Sequence, residues 1–112
     1  MSSKETSFVG LITFDASIGH SELTTQLEKW GFEKKSTYGY KLPANTYVGV
    51  VKRTVETNTQ GNFNTTDLKN TSDSLCEHYR NGMLDLFDNG DIDGKIYVLF
   101  SWALVTDDSV TR

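Results

Sequence analysis

The stretch FVGLITFD (residues 8–15) decides the fold, because it is an apolar strand that ends on a carboxylate. Residues 8–14 are apolar at nearly every position, which is typical of a central strand with side chains packed on both faces. The next four residues, 16–19, supply a turn. The chain therefore begins with a strand of the central sheet, and Asp15 lies where that strand ends.

An amphipathic helix follows this turn. Apolar residues recur at helical spacing among charged and polar neighbours, and these are Leu23, Leu27 and Trp30. His20 or Ser21 is placed to cap the start of the helix, and Gly31 is placed to end it in a left-handed conformation. The sequence thus predicts a helix over about 21–30.

A hairpin is predicted next. Tyr38 and Tyr40 alternate with other residues over 36–42, which is typical of a half-buried strand. Pro43 opens a turn over 43–45, and the apolar stretch 46–53 predicts a third strand. The polar, Asn- and Thr-rich stretch 55–66 predicts an exposed loop.

The last two elements are a helix and a strand. The helix is predicted to begin at Thr66 or Asp67 and to end at Asn89-Gly90, with apolar residues at Leu68, Leu75, Tyr79, Met83, Leu86 and Phe87. Residues 95–105 predict a long strand that is apolar on both faces. The order predicts an α+β, ferredoxin-like βαββαβ domain, with a four-stranded antiparallel sheet and two helices on one face. We expect one domain over 1–112, with flexible ends at 1–7 and 106–112.

Charge and hydropathy limit the partners. The formal net charge is −4, which argues against broad, non-specific binding to duplex nucleic acid. The second half carries an acidic group at Asp85, Asp88, Asp91 and Asp93. No apolar run approaches the roughly 18 residues that a membrane-spanning helix needs, and the first residues do not resemble a secretory signal. We therefore expect a cytoplasmic protein with no membrane association.

Two helices on one face leave the other sheet face partly apolar, which predicts a homodimer.

Asp15 is the first candidate site residue. A carboxylate at the end of a strand can bind Mg²⁺ or Mn²⁺, with water molecules completing the shell, and a dimer partner could supply a second copy. The alternative is an Asp that only forms the turn before the helix. His20 is close in sequence and is a candidate general acid or base, although a His at a helix start also serves as a partial cap.

Aromatic and basic residues in the predicted hairpin are candidates for nucleic-acid contact. Tyr38 and Tyr40, interleaved with Lys41, are the best candidates for stacking on bases. The alternative is that these rings pack in the core or against a dimer partner.

Cys76 is the only cysteine, which excludes a disulfide within the chain and favours a buried thiol on the second helix.

Two motifs resemble a known family. The pair Phe14-Asp15 ends the first strand, and LEKWGFEKKSTYGYKL (residues 27–42) runs from the first helix into an aromatic second strand. Together they resemble the small CRISPR-associated spacer-acquisition nucleases and the related GhoS-type endoribonuclease antitoxins. The resemblance implies a ferredoxin-like fold, a metal-binding role for Asp15 at a dimer axis, and hydrolysis of a phosphodiester by a metal-activated water.

Two functions follow as expectations. The first is a dimeric, nucleic-acid-associated protein, a metal-dependent endoribonuclease or a module derived from a nuclease, in a defence or toxin–antitoxin system that acts on RNA or DNA. The second is a non-enzymatic protein-interaction module, such as a regulator, an antitoxin or a phage-type inhibitor. In this second function the chain would use its acidic second half to bind a basic protein partner.

Overall fold

The computed structural model describes residues 2–35, 41–43 and 45–105. Its elements are β1 (Ser2–Ala16), α1 (His20–Lys29), β2 (Thr46–Thr57), α2 (Thr65–Asn89) and β3 (Gly94–Trp102), followed by a 3₁₀ turn at Ala103–Val105. The predicted α+β class and both predicted helices are confirmed.

The three strands form one antiparallel sheet in the order β2-β1-β3. Long, apolar β1 lies in the centre, where it pairs with β2 along twelve residues and with β3 along nine. At mid-sheet, Leu11 lies opposite Val48 on one side and Leu99 on the other. The predicted strand over 36–42 falls largely outside the described residues, so the fourth strand is not seen among them.

Both helices pack on one face of this sheet. Side chains alternate between the two faces of a strand, and in β1 the even-numbered residues Phe8, Ile12 and Phe14 are buried. The helices cover them with Leu23 and Leu27 from α1 and with Leu68, Leu75, Tyr79, Met83 and Phe87 from α2. The apolar stripes predicted for the two helices therefore form one core with the even-numbered side of β1.

Two glycines allow aromatic rings to lie directly on the sheet. A Cβ atom at Gly10 would overlap the ring of Phe100, which pairs with it across β1 and β3. A Cβ at Gly49 would lie 2.9 Å from the ring of Phe32. The rings of Phe32 and Phe100 meet edge to face at 6.3 Å, so the centre of the core is aromatic.

The strands differ in length from the sequence prediction. Residues 2–7, for which the sequence predicts a flexible end, continue β1 and pair with the end of β2. Ser2 and Thr57 mark this pairing, with their hydroxyl oxygens 2.8 Å apart. β2 thus extends into the stretch predicted as loop, and β3 ends at Trp102, earlier than predicted. Cross-strand pairing stabilises the polar start of β1 and the polar end of β2, which carry little apolar signal of their own.

Candidate functional site

Asp15 lies at the end of β1 with an exposed side chain. Its backbone is opposite Lys95 of β3, and the next pair, Ala16 and Gly94, ends the sheet. As an odd-numbered residue of β1, Asp15 projects from the face that the helices leave uncovered. The carboxylate is therefore accessible from the open side of the sheet.

His20 lies on the other face of the sheet. Its Nε2 atom is 2.8 Å from the carbonyl oxygen of Ala16, and its ring meets that of Phe14 edge to face at 5.5 Å. Phe14 is part of the helix-covered core, whereas its neighbour Asp15 projects to the opposite side. Asp15 and His20 are therefore not brought together within one subunit. His20 is also not the cap of α1, because Gly19 occupies the N-cap position with φ 80° and no side chain caps that helix.

Of the three predicted nucleic-acid contacts, only Lys41 lies within the described residues; Tyr38 and Tyr40 lie outside them. Lys41 is exposed and pairs with Lys35 through an isolated antiparallel bridge. The neighbouring Lys34 places its Nζ atom 5.5 Å from the centre of the Tyr47 ring, a cation–π contact. This corner of the molecule thus presents three exposed lysines, namely Lys34, Lys35 and Lys41.

The part of the chain that the structure describes holds no complete set of protein ligands for a metal ion. Within residues 2–35, 41–43 and 45–105, no three His, Cys, Asp or Glu side chains converge. A divalent ion at Asp15 would therefore take water molecules, a substrate or a second protein copy as its other ligands. Mg²⁺ accepts such sites, because it keeps several of its water molecules when it binds one or two carboxylates.

The uncovered side of the sheet carries an apolar surface, which we term the open sheet face. Its apolar residues are Val9, Leu11, Val48, Val50, Tyr97 and Leu99. Val50, Tyr97 and Leu99 are 53%, 56% and 44% exposed, and the other three are half-buried. The strand register places these residues in contiguous rows, with Val9 opposite Val50 and Leu11 between Val48 and Leu99. Such a contiguous patch is a more specific signal than scattered exposed side chains.

Polar residues border the open sheet face at both ends. Thr13 and Thr46 lie side by side in the row that ends at Tyr97, with their hydroxyl oxygens 3.4 Å apart. Asp15 and Lys95 follow at that end, and Lys52 lies at the other end, opposite Ser7. A polar rim around an apolar centre is the usual composition of a protein–protein interface.

An acidic group lies next to Asp15. The turn between α2 and β3 packs against the turn between β1 and α1, because the Ser17 N–H donates to the carbonyl oxygen of Asp93 at 2.9 Å. The side chain of Ile92 lies beneath Gly19 at the same contact. The contact brings the exposed carboxylates of the α2–β3 region to the Asp15 end of the sheet, and these are Asp88, Asp91 and Asp93. We term this group, with Asp15 and the exposed Asp85 of the last turns of α2, the acidic end.

Cys76 is partly buried between α2 and β3. Its Sγ atom lies 3.9 Å from the carbonyl oxygen of Val98, at the outer edge of β3. Burial raises the pKa of the Cys76 thiol, while a backbone hydrogen bond from Phe100 acts in the opposite direction. A raised pKa lowers the thiolate fraction, and the Cys76 side chain packs against the core.

Sequence reasoning anticipated a partly apolar open face but did not identify its members. Tyr97 and Leu99 belong to the predicted last strand, and their positions in that strand carry the signal. Odd positions of β3 project with the odd positions of β1, so the register alone assigns Tyr97 and Leu99 to the open sheet face. Strand parity in an antiparallel pair is the pattern that finds these residues.

The chain is a small α+β protein with a three-stranded antiparallel sheet and two helices. Comparisons with protein-family models, curated proteins and solved structures found no match to it. Among the residues that the structure describes, no helix is long and apolar enough to cross a membrane.

Proposed function

We propose that the chain is a self-associating interaction module with a ferredoxin-like fold. A split βαβ unit has an antiparallel strand between two parallel ones, so the predicted strand over 36–42 would lie beyond β2. Two backbone contacts support this position. Glu33 and Val48 exchange N–H···O bonds of 2.9 and 2.8 Å at the outer edge of β2, and Lys35 bridges to Lys41 beside them.

The apolar open sheet face is the observation that carries the proposal. Its three central rows span three strands and cover roughly 300 Å² of flat area at usual strand spacings. Six of the nine positions in these rows are apolar, and the other three are Ser101, Thr13 and Thr46. A monomer's largest apolar patch is often functional at about this size. A second copy offers the same apolar rows, and a homodimer joins such self-complementary patches about a twofold axis. The interface would shield Val50, Tyr97 and Leu99 from water in both copies.

A single charge on the open sheet face tests self-association. We expect Val50→Glu to shift a dimer to monomer in sedimentation equilibrium, because the interface would have to bury a carboxylate without a partner. Ile18→Glu is the matched control, since Ile18 is also branched at Cβ and is 58% exposed, in the turn after β1. A monomeric wild type, or equal behaviour of the two variants, would rule out this interface.

The acidic end is the surface that we propose for a basic protein partner. Carboxylates from α2 and from the α2–β3 turn point into solvent at one end of the sheet, and the only ion pair seen among the described residues lies elsewhere, between Lys69 and Asp73. Lys95 lies opposite Asp15 at this end, but the five carboxylates outnumber it. A local excess of one charge attracts a partner of the opposite sign and speeds association. The acidic end and the open sheet face would then serve different partners.

Charge neutralisation tests the acidic end. A variant with Asn at positions 85, 88, 91 and 93 should bind a fluorescent lysine-rich peptide more weakly than wild type does at low ionic strength. The control has Gln at four exposed glutamates away from this end, which changes the net charge equally; they are Glu5, Glu28, Glu56 and Glu77. Equal losses in both variants would show that only net charge matters and would remove the acidic end as a specific surface.

Metal-dependent cleavage of RNA or DNA is the second candidate function. The observation that favours it is the exposed carboxylate of Asp15, which borders the surface proposed for self-association. Asp15 would bind Mg²⁺ or Mn²⁺, and His20 would act as acid or base only after a rearrangement or from another subunit. Tyr38, Tyr40 and Lys41 would hold the nucleic acid.

The cleavage assay compares wild type, Asp15→Ala and Asp88→Ala on RNA and DNA, with Mg²⁺, with Mn²⁺ or with a chelator. This candidate predicts metal-dependent products for wild type and Asp88→Ala and none for Asp15→Ala. Cleavage that persists in Asp15→Ala would remove Asp15 as the metal ligand. No cleavage by wild type under any of these conditions would leave the interaction module as the sole function.

A further inference from the structure

An open groove of about 380 Å³ lies between the outer part of β2 and the middle of α2, away from Asp15 and the open sheet face. It is lined by Arg53, Asn70, Thr71, Ser74, Leu75 and His78. Its volume is within the range of small-molecule sites, which is about 300–1,000 Å³. The lining contains a guanidinium, an imidazole, an amide and two hydroxyl groups, and it contains no carboxylate.

Arg53 enters the groove from the helix-covered side of the sheet. It pairs with Thr6 of β1. Both residues lie on the face of the sheet whose side chains form the core nearer the middle of the strands. The side chain is exposed, and its Nη1 atom donates to the neighbouring carbonyl oxygen of Lys52 at 2.8 Å. In the part of the chain that the structure describes, no carboxylate pairs with this guanidinium. Most of its five N–H donors are therefore available to a ligand.

One row of α2 faces this guanidinium. Asn70, Ser74 and His78 are four residues apart, so they follow one another along the same side of the helix. Leu75 is buried beneath them and closes the floor of the groove. The Thr71 hydroxyl donates to the carbonyl oxygen of Asp67, so the other three side chains are the donors that remain for a ligand.

We infer that this groove binds the phosphate group of a small phosphorylated molecule of about mononucleotide size. Arg matches phosphate oxygens with two parallel N–H bonds, and these charge-assisted bonds are stronger than neutral ones. Amide, hydroxyl and imidazole donors on α2 are placed to complete the shell. Because the whole chain is acidic, an anion is selected by this local group of donors and not by net charge.

The test uses ¹⁵N-labelled full-length protein titrated with inorganic phosphate and, separately, with adenosine monophosphate. Both ligands should cause saturable shifts of the backbone amides of residues 70–78. Arg53→Gln should weaken binding at least about tenfold, since a hydrogen bond to a charged group contributes that factor or more. Arg80→Gln removes the same charge from an exposed position of α2 outside the groove and should leave the affinity unchanged.

Each outcome of the titration decides the inference. Binding of both ligands that Arg53→Gln weakens and Arg80→Gln does not would establish the site, and tighter binding of the nucleotide would show that the groove also holds its sugar or base. Equal weakening by both variants would show non-specific attraction and overturn the inference. The absence of shifts at residues 70–78 with both ligands would also overturn it. A melting temperature of Arg53→Gln equal to that of wild type shows that its effect is not unfolding.

Discussion

Replacing Leu99 by Ala is expected to weaken self-association through the open sheet face without unfolding the protein. Leu99 lies in β3 opposite Leu11, in the middle row of the face. Its side chain points away from the helices and is 44% exposed in the isolated chain. Alanine keeps the backbone pairing of β3 with β1, and it removes only apolar area that a second copy would cover.

The size of the effect follows from this exposure. Full burial of a leucine side chain contributes about 1.5–3 kcal/mol, so covering the 44% that is still exposed contributes about 1 kcal/mol in each copy. A twofold interface loses this contribution twice, or about 2 kcal/mol in total. The dissociation constant should therefore rise about thirtyfold.

Sedimentation equilibrium over a series of protein concentrations measures this change. Leu84→Ala provides a closely matched control, because Leu84 is 43% exposed but belongs to α2, on the far side of the molecule from the open sheet face. Leu84→Ala should leave the dissociation constant unchanged. If Leu99→Ala and Leu84→Ala behave alike, burial of the open sheet face is not what holds two copies together.

Three further predictions concern the fold. Gly10→Ala should lower the free energy of unfolding in urea by about 1–3 kcal/mol, because its Cβ would overlap the ring of Phe100, and an unchanged value would contradict the close packing of that ring. Asn64→Ala should lower it by about 1 kcal/mol, because the Asn64 side chain accepts from the Thr66 N–H at 2.7 Å and caps α2. The Cys76 thiol should react with Ellman's reagent more slowly in the folded protein than in urea at pH 8, because burial raises its pKa. The folded pKa lies above the unfolded one, so the thiol's contribution to stability should be complete below the unfolded pKa and be lost as the pH rises through the folded pKa.

The type of each helix and strand that the structure describes was predictable, because each of these elements carries its own period. The apolar run of β1 and the helical spacing of Leu23 and Leu27 depend only on local sequence, and both gave the right element. The ends of the strands were not predictable in this way. Ser2 and Thr57 belong to polar stretches, and they are held in strands by each other, across 55 positions of sequence. Pairing over that distance leaves no periodic signal in either segment.

The candidate site was predictable only in part for a related reason. Sequence proximity suggested that Asp15 and His20 share a site, but strand parity sends them to opposite faces. Phe14 is the residue that decides this, because its ring is buried beside His20 while Asp15 projects to the open side. The groove at Arg53 had no sequence signal, since it exists only where α2 packs beside β2.

The two candidate functions place different demands on the symmetry of a dimer. Two sheets that pack face to face share a twofold axis lying in the plane between them, because any other axis would fail to bring the two faces together. An axis parallel to β1 sets the two Asp15 carboxylates side by side, where they repel unless a cation binds them. An axis across the strands, centred near Leu11, separates them by roughly 27 Å along the sheet, at the usual rise of a strand. It also sets each Asp15 at the end of the interface where the partner's Lys52 lies. Metal-dependent cleavage at a site shared by the two Asp15 carboxylates therefore requires the axis parallel to β1. Self-association alone favours the axis across the strands, because that axis replaces the repulsion between the two Asp15 carboxylates with an attraction between Asp15 and the partner's Lys52.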